Sequence, residues 1–310
     1  MLKRIRHALI QHLWETYRHS SSQAERIERA LQQKGVDKLI LDHFAIIDLP
    51  GPHTGIQPLS QLFSAIGYVA QGNDYLAEKQ NDFLWLTESD SFDLPAKEVL
   101  PQVVVADFRL NEMPLEIRRI IEKYSHQAKP FPKATFEKLA HSASNDHDAA
   151  EKLINLITHY LTGRDWPLPT TMEFRAVQAF NELLAWVLVF GRKPNHFTLS
   201  IHLLDHFNDL ADFHHFIENE VHLPLNREGS VIKGGKSAGI SQGSTVGLPR
   251  LVPLSDGHIE LSEDFVEFVW RYPHPLFCPQ TASPLLWKDY FTGFIAQHAN
   301  RVIESLYVNE

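Results

Sequence analysis

A short apolar segment that contains a histidine occurs twice in this chain, and a helical pattern follows each copy. The first copy reads Leu41-Asp42-His43-Phe44-Ala45-Ile46, and the second reads Pro194-Asn195-His196-Phe197-Thr198-Leu199. Short runs of apolar, β-branched and aromatic residues of this kind are typical of strands. Two similar strand–helix units predict a fold that is built from two related halves, each led by one of these strands.

The pattern along residues 1–310 predicts an α+β protein that forms a single compact domain. We expect five consecutive regions: N-terminal helices over 1–37, a first strand-led module over 38–112, a helical insert over 113–192, a second strand-led module over 193–272, and a C-terminal tail with a helix over 273–310. Each module reads β–α–β–β in coarse outline, with the helix of the first module placed at 58–70. We find no flexible linker between the modules, which predicts that they pack together.

Charge and cysteine content exclude several classes of function. The formal net charge of −9 argues against a nucleic-acid partner, because that role needs a lysine- or arginine-rich face. No apolar run approaches the ~20 residues of a membrane span, and the amphipathic N-terminus lacks the features of a targeting peptide. The single cysteine, Cys278, excludes an internal disulfide and a cysteine-cluster metal site, and it fits a reducing cytoplasm. We therefore expect a cytoplasmic protein with neither nucleic-acid nor membrane partners; its oligomeric state stays open.

A third segment places a carboxylate within an apolar strand. Glu267 lies between Phe265-Val266 and Phe268-Val269, and burial of a carboxylate is costly unless it is paired or bound to a metal. Side chains alternate along a strand, so one face of each of the three strands carries His43, His196 or Glu267. Two histidines and one carboxylate with open positions suit a non-haem Fe(II) oxygenase. Manganese, zinc or nickel would accept the same ligands.

The same residues also have structural interpretations. A histidine in an apolar strand is often a hydrogen-bonded core residue, and Glu267 could pair with Arg271 on its own face. The internal repetition favours the metal site, because duplicated strands place equivalent residues close together across a pseudo-twofold axis. Further histidines cluster at positions 202, 206, 214, 215 and 222. They lack the spacing of zinc motifs, and we expect those on the 205–220 helix to be solvated.

Several segments match one family in order along the chain. They are Asp42–Ala45, Val104–Arg109, Asn195–Thr198, Leu225-Asn226 with Ile232–Gly234, Ser241–Val246, and Glu267-Phe268 with Arg271. Over about residues 38–272 the chain thereby resembles the 2-oxoadipate dioxygenase/decarboxylase family. The resemblance implies a fold similar to the vicinal oxygen chelate superfamily, in which paired βαβββ modules form a curved mixed sheet around a metal.

The resemblance also implies a reaction. Fe(II) would be held by His43, His196 and Glu267, and a 2-oxo acid such as 2-oxoadipate would react with O₂ to give a 2-hydroxy acid and CO₂. For 2-oxoadipate the product would be 2-hydroxyglutarate, in lysine catabolism. The substrate-binding positions would be Lys233, Ser244, Thr245, Arg271 and position 47, where members of the family typically have an arginine and this chain has Ile47.

Ile47 leaves the substrate open. By strand parity it faces the same side as His43, and isoleucine cannot replace the bidentate contact between arginine and a carboxylate. Another cation (Lys233, Arg109 or Arg271) takes over, or the substrate is less acidic, or activity is lost. The sequence favours a metal-dependent dioxygenase/decarboxylase. An O₂-independent metal lyase, isomerase or hydrolase and a non-catalytic protein that binds small carboxylates are the alternatives.

Overall fold

The computed structural model describes residues 2–143, 145–274 and 284–307. Cys278, and the interpretation attached to it, lie outside these residues. The helices α1 to α10 span Leu2–Ser20, Ser22–Gln33, Ile56–Ala65, Leu115–Ser125, Lys133–Ser142, His147–Leu161, Thr171–Phe180, Glu182–Phe190, Leu210–Phe216 and Ala296–Ile303. The strands β1 to β10 span Leu41–Ile47, Tyr68–Leu76, Asn81–Glu88, Gln102–Phe108, His196–Ser200, Lys233–Gly235, Ile240–Ser244, Pro249–Pro253, His258–Ser262 and Phe265–Arg271.

Eight of the described strands form one curled mixed sheet in the order β2-β3-β4-β1-β5-β10-β7-β6. The two histidine-bearing strands, β1 and β5, are antiparallel neighbours at its centre. On either side the plan is the same: β4 is parallel to β1 and β10 is parallel to β5, and the outer strands then run antiparallel. With α3 and α9 these strands form two βαβββ modules, which confirms the predicted fold. The β8–β9 hairpin is inserted between β7 and β10.

The helix predicted at residues 58–70 is wrong at its C-terminal end. Helix α3 ends at Ala65, and Tyr68–Leu76 forms the edge strand β2. Most side chains of this strand are exposed, including Val69 at 47%, and Gly72, Asn73 and Asp74 are residues that strands disfavour. An edge strand without a buried face lacks the alternation of apolar and polar residues by which strands are identified.

The two faces of the sheet are covered by different helices, and this decides where the site lies. On one face Phe44 and Phe197 stack at 4.9 Å between ring centroids, within a core that also contains residues of α1, α2, α3 and α9. Because side chains alternate along a strand, burial of these phenylalanines directs His43 and His196 to the opposite face. There Phe265 and Ile47 belong to a second core, which includes residues of α4, α7, α8 and α10.

The helical insert supplies much of that second core. Residues Leu183–Val189 of α8 are all buried, as expected for a helix that is apolar on every side.

Among residues 2–143, 145–274 and 284–307, no helix has both the length and the apolar character that a bilayer crossing requires.

Candidate metal centre

Three buried side chains from three adjacent strands converge on the second face of the sheet. Nε2 of His43 on β1 and Nε2 of His196 on β5 each lie 3.2 Å from Oε2 of Glu267 on β10. The three residues are 3%, 6% and 1% exposed, and their potential ligand atoms all lie within 4.8 Å of one another. Strand pairing fixes this geometry, because β1, β5 and β10 are consecutive in the sheet.

The residue that precedes each histidine orients its ring. Nδ1 of His43 lies 2.8 Å from Oδ1 of Asp42, and Nδ1 of His196 lies 2.7 Å from Oδ1 of Asn195. An oxygen acceptor at Nδ1 keeps a proton on that nitrogen, so Nε2 is the atom that can offer a lone pair to a metal. The pairing of β1 with β5 shifts register between Leu41 and His43. A β-bulge of this kind changes the direction of nearby side chains.

The carboxylate of Glu267 is held at both oxygens. Gln242 donates from Nε2 to Oε1 at 2.8 Å, and the hydroxyl of Thr198 donates to Oε2 at 2.8 Å. Because Oε1 accepts the hydrogen bond from the Gln242 amide, Oε2 is the oxygen that faces both histidines. Gln242 Oε1 is buried and has no hydrogen-bond partner within the described part of the chain. A bound molecule that offers a donor would satisfy it.

The electrostatics of the three residues favour a cation between them. Burial disfavours a charge on His43, but the carboxylates of Glu267 and Asp42 outweigh it and raise the pKa of His43 to about 9. Burial would raise the pKa of Glu267, yet His43 and His196 hold it well below its usual range. Burial lowers the pKa of His196. Without a metal, the two carboxylates favour a proton on His43, and a metal ion bound between the three side chains would take the place of that proton.

The guanidinium group of Arg271 is buried and donates hydrogen bonds to other groups of the protein. Its Nε and Nη2 donate to the two carboxylate oxygens of Asp42 at 2.7 and 2.8 Å, and Nη1 donates to the carbonyls of Phe291 and Gly293 at 2.8 and 3.0 Å. Asp42 and Arg271 are 2% and 0% exposed. Burial would raise the pKa of Asp42, but Arg271 and His43 hold it far below its usual range. Arg271 thus pairs with Asp42 and not with Glu267, and it supports His43 indirectly.

A cavity of about 60 Å³ opens beside the three candidate ligands. Its polar lining consists of the three ligands with Gln242 and Asn81, and the rest is apolar: Ala45, Ile47, Leu76, Phe83, Val104, Ala106, Phe294, Ala299, Val302 and Ile303. Three of these side chains come from α10, so the C-terminal helix forms one wall. Ile47 is the expected substrate-binding position that lies in this lining.

The other expected substrate-binding side chains have partners elsewhere. Lys233 donates from Nζ to the carbonyl of Asn226 at 3.0 Å, and burial lowers its pKa to about 8 against the effect of Glu267. The hydroxyl of Ser244 contacts that of Ser305 at 2.8 Å. Thr245 accepts from the backbone N–H of Val266 at 3.0 Å.

Arg109, a further candidate cation, lies away from the cavity. It pairs with Asp82 at 2.6 Å and lies over the ring of Tyr75.

His214 departs from the expectation that the histidines of its helix are solvated. It is 4% exposed, and burial lowers its pKa to about 4. The absence of a side chain at Gly243 makes room for it, because a Cβ there would collide with the imidazole ring.

Strand parity does not identify the residues that orient the candidate ligands, although the sequence carries one signal for them. Each histidine of the repeat follows a residue with a side-chain oxygen, Asp42 in one copy and Asn195 in the other. That pairing is the pattern of metal-binding histidines whose second nitrogen is hydrogen-bonded. Gln242 and Thr198 have no comparable local signal, because their roles depend on strand register.

A buried group of two histidines and one carboxylate on paired βαβββ modules is a possible metal site in a fold of the vicinal oxygen chelate kind. The solved structures agree on the fold. A protein from Ralstonia eutropha JMP134 that is named for the glyoxalase superfamily matches with a TM-score of 0.75 at 15% identity, over 94% of this chain and 85% of that one.

Sequence comparison identifies the family. A model of the 2-oxoadipate dioxygenase/decarboxylase family matches residues 6–271, and the chain belongs to that family. The chloroplastic/amyloplastic 2-oxoadipate dioxygenase/decarboxylase of Oryza sativa subsp. japonica is 24% identical over 302 residues, which cover 96% of this chain and 77% of the relative. The crystal structure of hydroxyglutarate synthase from Oryza sativa in complex with 2-oxoadipate superposes with a TM-score of 0.78 at 23% identity, over 98% and 92% of the two chains.

Proposed function

We propose that this protein is an Fe(II)-dependent dioxygenase/decarboxylase that acts on a 2-oxo acid. The observation that carries the proposal is the buried set of His43, His196 and Glu267, in which both histidines are held with Nε2 toward the carboxylate. This donor set suits non-haem iron. Membership of a family that is named for this reaction supports the same assignment.

The proposed reaction converts a 2-oxo acid and O₂ into CO₂ and a 2-hydroxy acid one carbon shorter. The bond between C1 and C2 breaks, C2 becomes the new carboxylate, and C3 gains the hydroxyl group. Both atoms of O₂ are retained in the two products, and the substrate supplies all the electrons, so no further reductant is needed. When bound, the iron supplies coordination of the 2-oxo acid and activation of O₂.

The residues of the chain hold and orient the participants. His43, His196 and Glu267 would hold the ion and would leave coordination positions open for the substrate and O₂. Asp42 and Asn195 fix the imidazole rings, and Gln242 restrains Glu267 so that it presents Oε2. The apolar wall keeps bulk water from the reacting atoms, which protects reactive species from side reactions.

The finer points of the proposal rest on relatives and composition. The rice hydroxyglutarate synthase was solved with 2-oxoadipate, which supports a 2-oxo acid as the substrate here. A role in lysine catabolism and a cytoplasmic location stay predictions, and the rice relative carries a chloroplastic/amyloplastic name.

Metal binding and oxygen consumption test the proposal together. Protein loaded anaerobically with Fe(II) is expected to bind one ion and to consume O₂ when a 2-oxo acid is added. His196→Ala is expected to lose the metal, whereas His12→Ala should keep it, because His12 is exposed on α1 and belongs to neither candidate metal group of the described residues. Full metal occupancy in His196→Ala would refute the ligand assignment. Turnover that continues under strict anaerobiosis would favour a metal lyase, isomerase or hydrolase.

A further inference from the structure

We infer, on the basis of the function proposed above, that the acid accepted by this site ends in an uncharged aliphatic chain and not in a second carboxylate. The 2-oxo acid head group would face the metal ligands. The remainder of the molecule would then lie against the wall of the cavity, and the composition of that wall decides what it can be.

The wall opposite the ligands carries no formal charge. Ile47, Leu76, Phe83 and Val104 come from the first module, and Val302 and Ile303 come from α10. All of these except Val104 are buried. A carboxylate placed against them would lose its water without gaining a partner, which is among the most unfavourable arrangements in a protein interior. A methyl or methylene group there would gain by leaving water.

The polar residue of this wall does not change the conclusion. Asn81 donates from its amide nitrogen to the carbonyl of Asp107 at 2.9 Å. One of its two N–H groups is thereby used, and the other N–H and the amide oxygen stay available to a bound molecule. Neither of these groups carries a charge that would balance a buried carboxylate.

The cations of the surrounding structure are committed to other partners. Lys79, which is close in sequence to Leu76 and Asn81, pairs with Glu304 and lies 4.6 Å from the ring centroid of Tyr307. Arg271 is bound to Asp42, and Lys233 donates to a backbone carbonyl. Of the described residues, those that line the cavity include neither lysine nor arginine.

The size of the cavity points to a small substrate. Its volume of about 60 Å³ corresponds to about four to six ordered waters, at ~10–15 Å³ for each. A short unbranched or branched aliphatic chain can fill this volume without any new hydrogen bond. A terminal carboxylate would need bound waters or a cation beside it.

A matched pair of acids tests the inference. 2-Oxohexanoate and 2-oxoadipate have the same six-carbon chain and differ only in a terminal methyl or carboxylate. Calorimetry on the Mn(II)-loaded protein under anaerobic conditions measures binding without turnover. We expect 2-oxohexanoate to bind at least about 100-fold more tightly, because the diacid would bury an unpaired charge. Equal or tighter binding of 2-oxoadipate would overturn this inference and leave the proposed function intact. Absence of binding by either acid to fully metal-loaded protein would overturn both.

Two variants locate the origin of the preference. Ile47→Arg places a cation against the wall and is expected to improve the ratio of affinities in favour of 2-oxoadipate by at least about 10-fold. Lys79→Met is expected to leave the ratio as it is in the unaltered protein. Loss of 2-oxoadipate binding in Lys79→Met would show that Lys79 supplies a cation, and it would contradict the inference. Because the wild-type comparison does not depend on the folding of either variant, the test stands without them.

Discussion

The two halves of the sheet share a plan but contribute different chemistry to one cavity. With His43 aligned on His196, strand pairing places three further positions in correspondence: Ala45 with Thr198, Val104 with Glu267, and Phe83 with Gln242. In the second half these positions carry the candidate ligand Glu267 and two residues that donate hydrogen bonds to it. In the first half they are apolar, and all three line the cavity.

The difference explains how a symmetric scaffold gives an asymmetric site. A fully symmetric pair of modules would present four ligands, two from each half. Val104 lies where the fourth would be, so the site has three candidate ligands on one side and apolar surface on the other. In the proposed function the missing ligand leaves room for the substrate and O₂, and the first half forms the wall against which the substrate lies.

Removal of the second-half carboxylate is expected to have the largest effect. Glu267→Val gives the second half the residue type of the first and should weaken metal binding by at least about 100-fold, since loss of an outer-shell partner alone costs about 10–100-fold. Metal titration of the purified protein measures this. Val104→Ala is the matched control at the equivalent position and should keep the affinity. Similar affinities for the two variants would mean that Glu267 is not a ligand.

The two residues that orient the histidines, Asp42 and Asn195, differ in charge. Asp42→Asn tests whether the charge of Asp42 is needed to balance the buried Arg271. The substitution gives the first half the residue of the second, and it leaves Arg271 buried without its counterion. We expect the metal-free protein to lose about 3 kcal/mol of unfolding free energy in urea. Asp205→Asn breaks an exposed pair with Lys97 and should change stability by less than about 1 kcal/mol. A loss below that level for Asp42→Asn would show that the buried pair contributes little.

Gln242 distinguishes the halves through its bond to Glu267. Gln242→Met keeps much of the shape and removes the amide, so Glu267 is no longer restrained. Metal affinity should fall by about 10-fold or more while the fold is retained. Metal titration together with circular dichroism separates the two effects. An unchanged affinity would show that Thr198 alone is enough to hold the carboxylate.

The helices of the two modules, α3 and α9, differ in a way that should affect the pH dependence of stability, with a smaller effect than those above. Helix α9 carries the buried His214, whereas α3 has no histidine. The pKa of His214 falls from 6.5 to about 4 on folding, so the unfolded chain binds the proton more readily, and stability is lost as pH decreases from about 6.5 toward 4. His214→Asn should reduce the loss between pH 7 and 5.5 by about 1 kcal/mol in urea unfolding. The same loss in the variant and in the unaltered protein would assign it to other groups.

Strand-level features could be predicted from the sequence, and features that depend on distant contacts could not. Alternation along short apolar strands places His43, His196 and Glu267 each on one face of its strand, and the internal repeat predicts that the two histidines lie close together. The exposed strand β2 has no such alternation and was interpreted in part as helix. The pairing of Arg271 with Asp42 joins residues 229 positions apart, and the contribution of α10 to the cavity depends on how the end of the chain folds back. Neither has a local signal.

The ion pair of Asp42 and Arg271 also bears on the independence of the two modules. Asp42 begins the first module and Arg271 ends the second, and both are buried. A fragment that contained only one module would enclose a charge without its counterion, or would have to open that part of its core to water. The two modules have therefore lost the autonomy that their shared plan suggests. If the chain were cut within the helical insert, the two pieces would have to associate before either could complete its core.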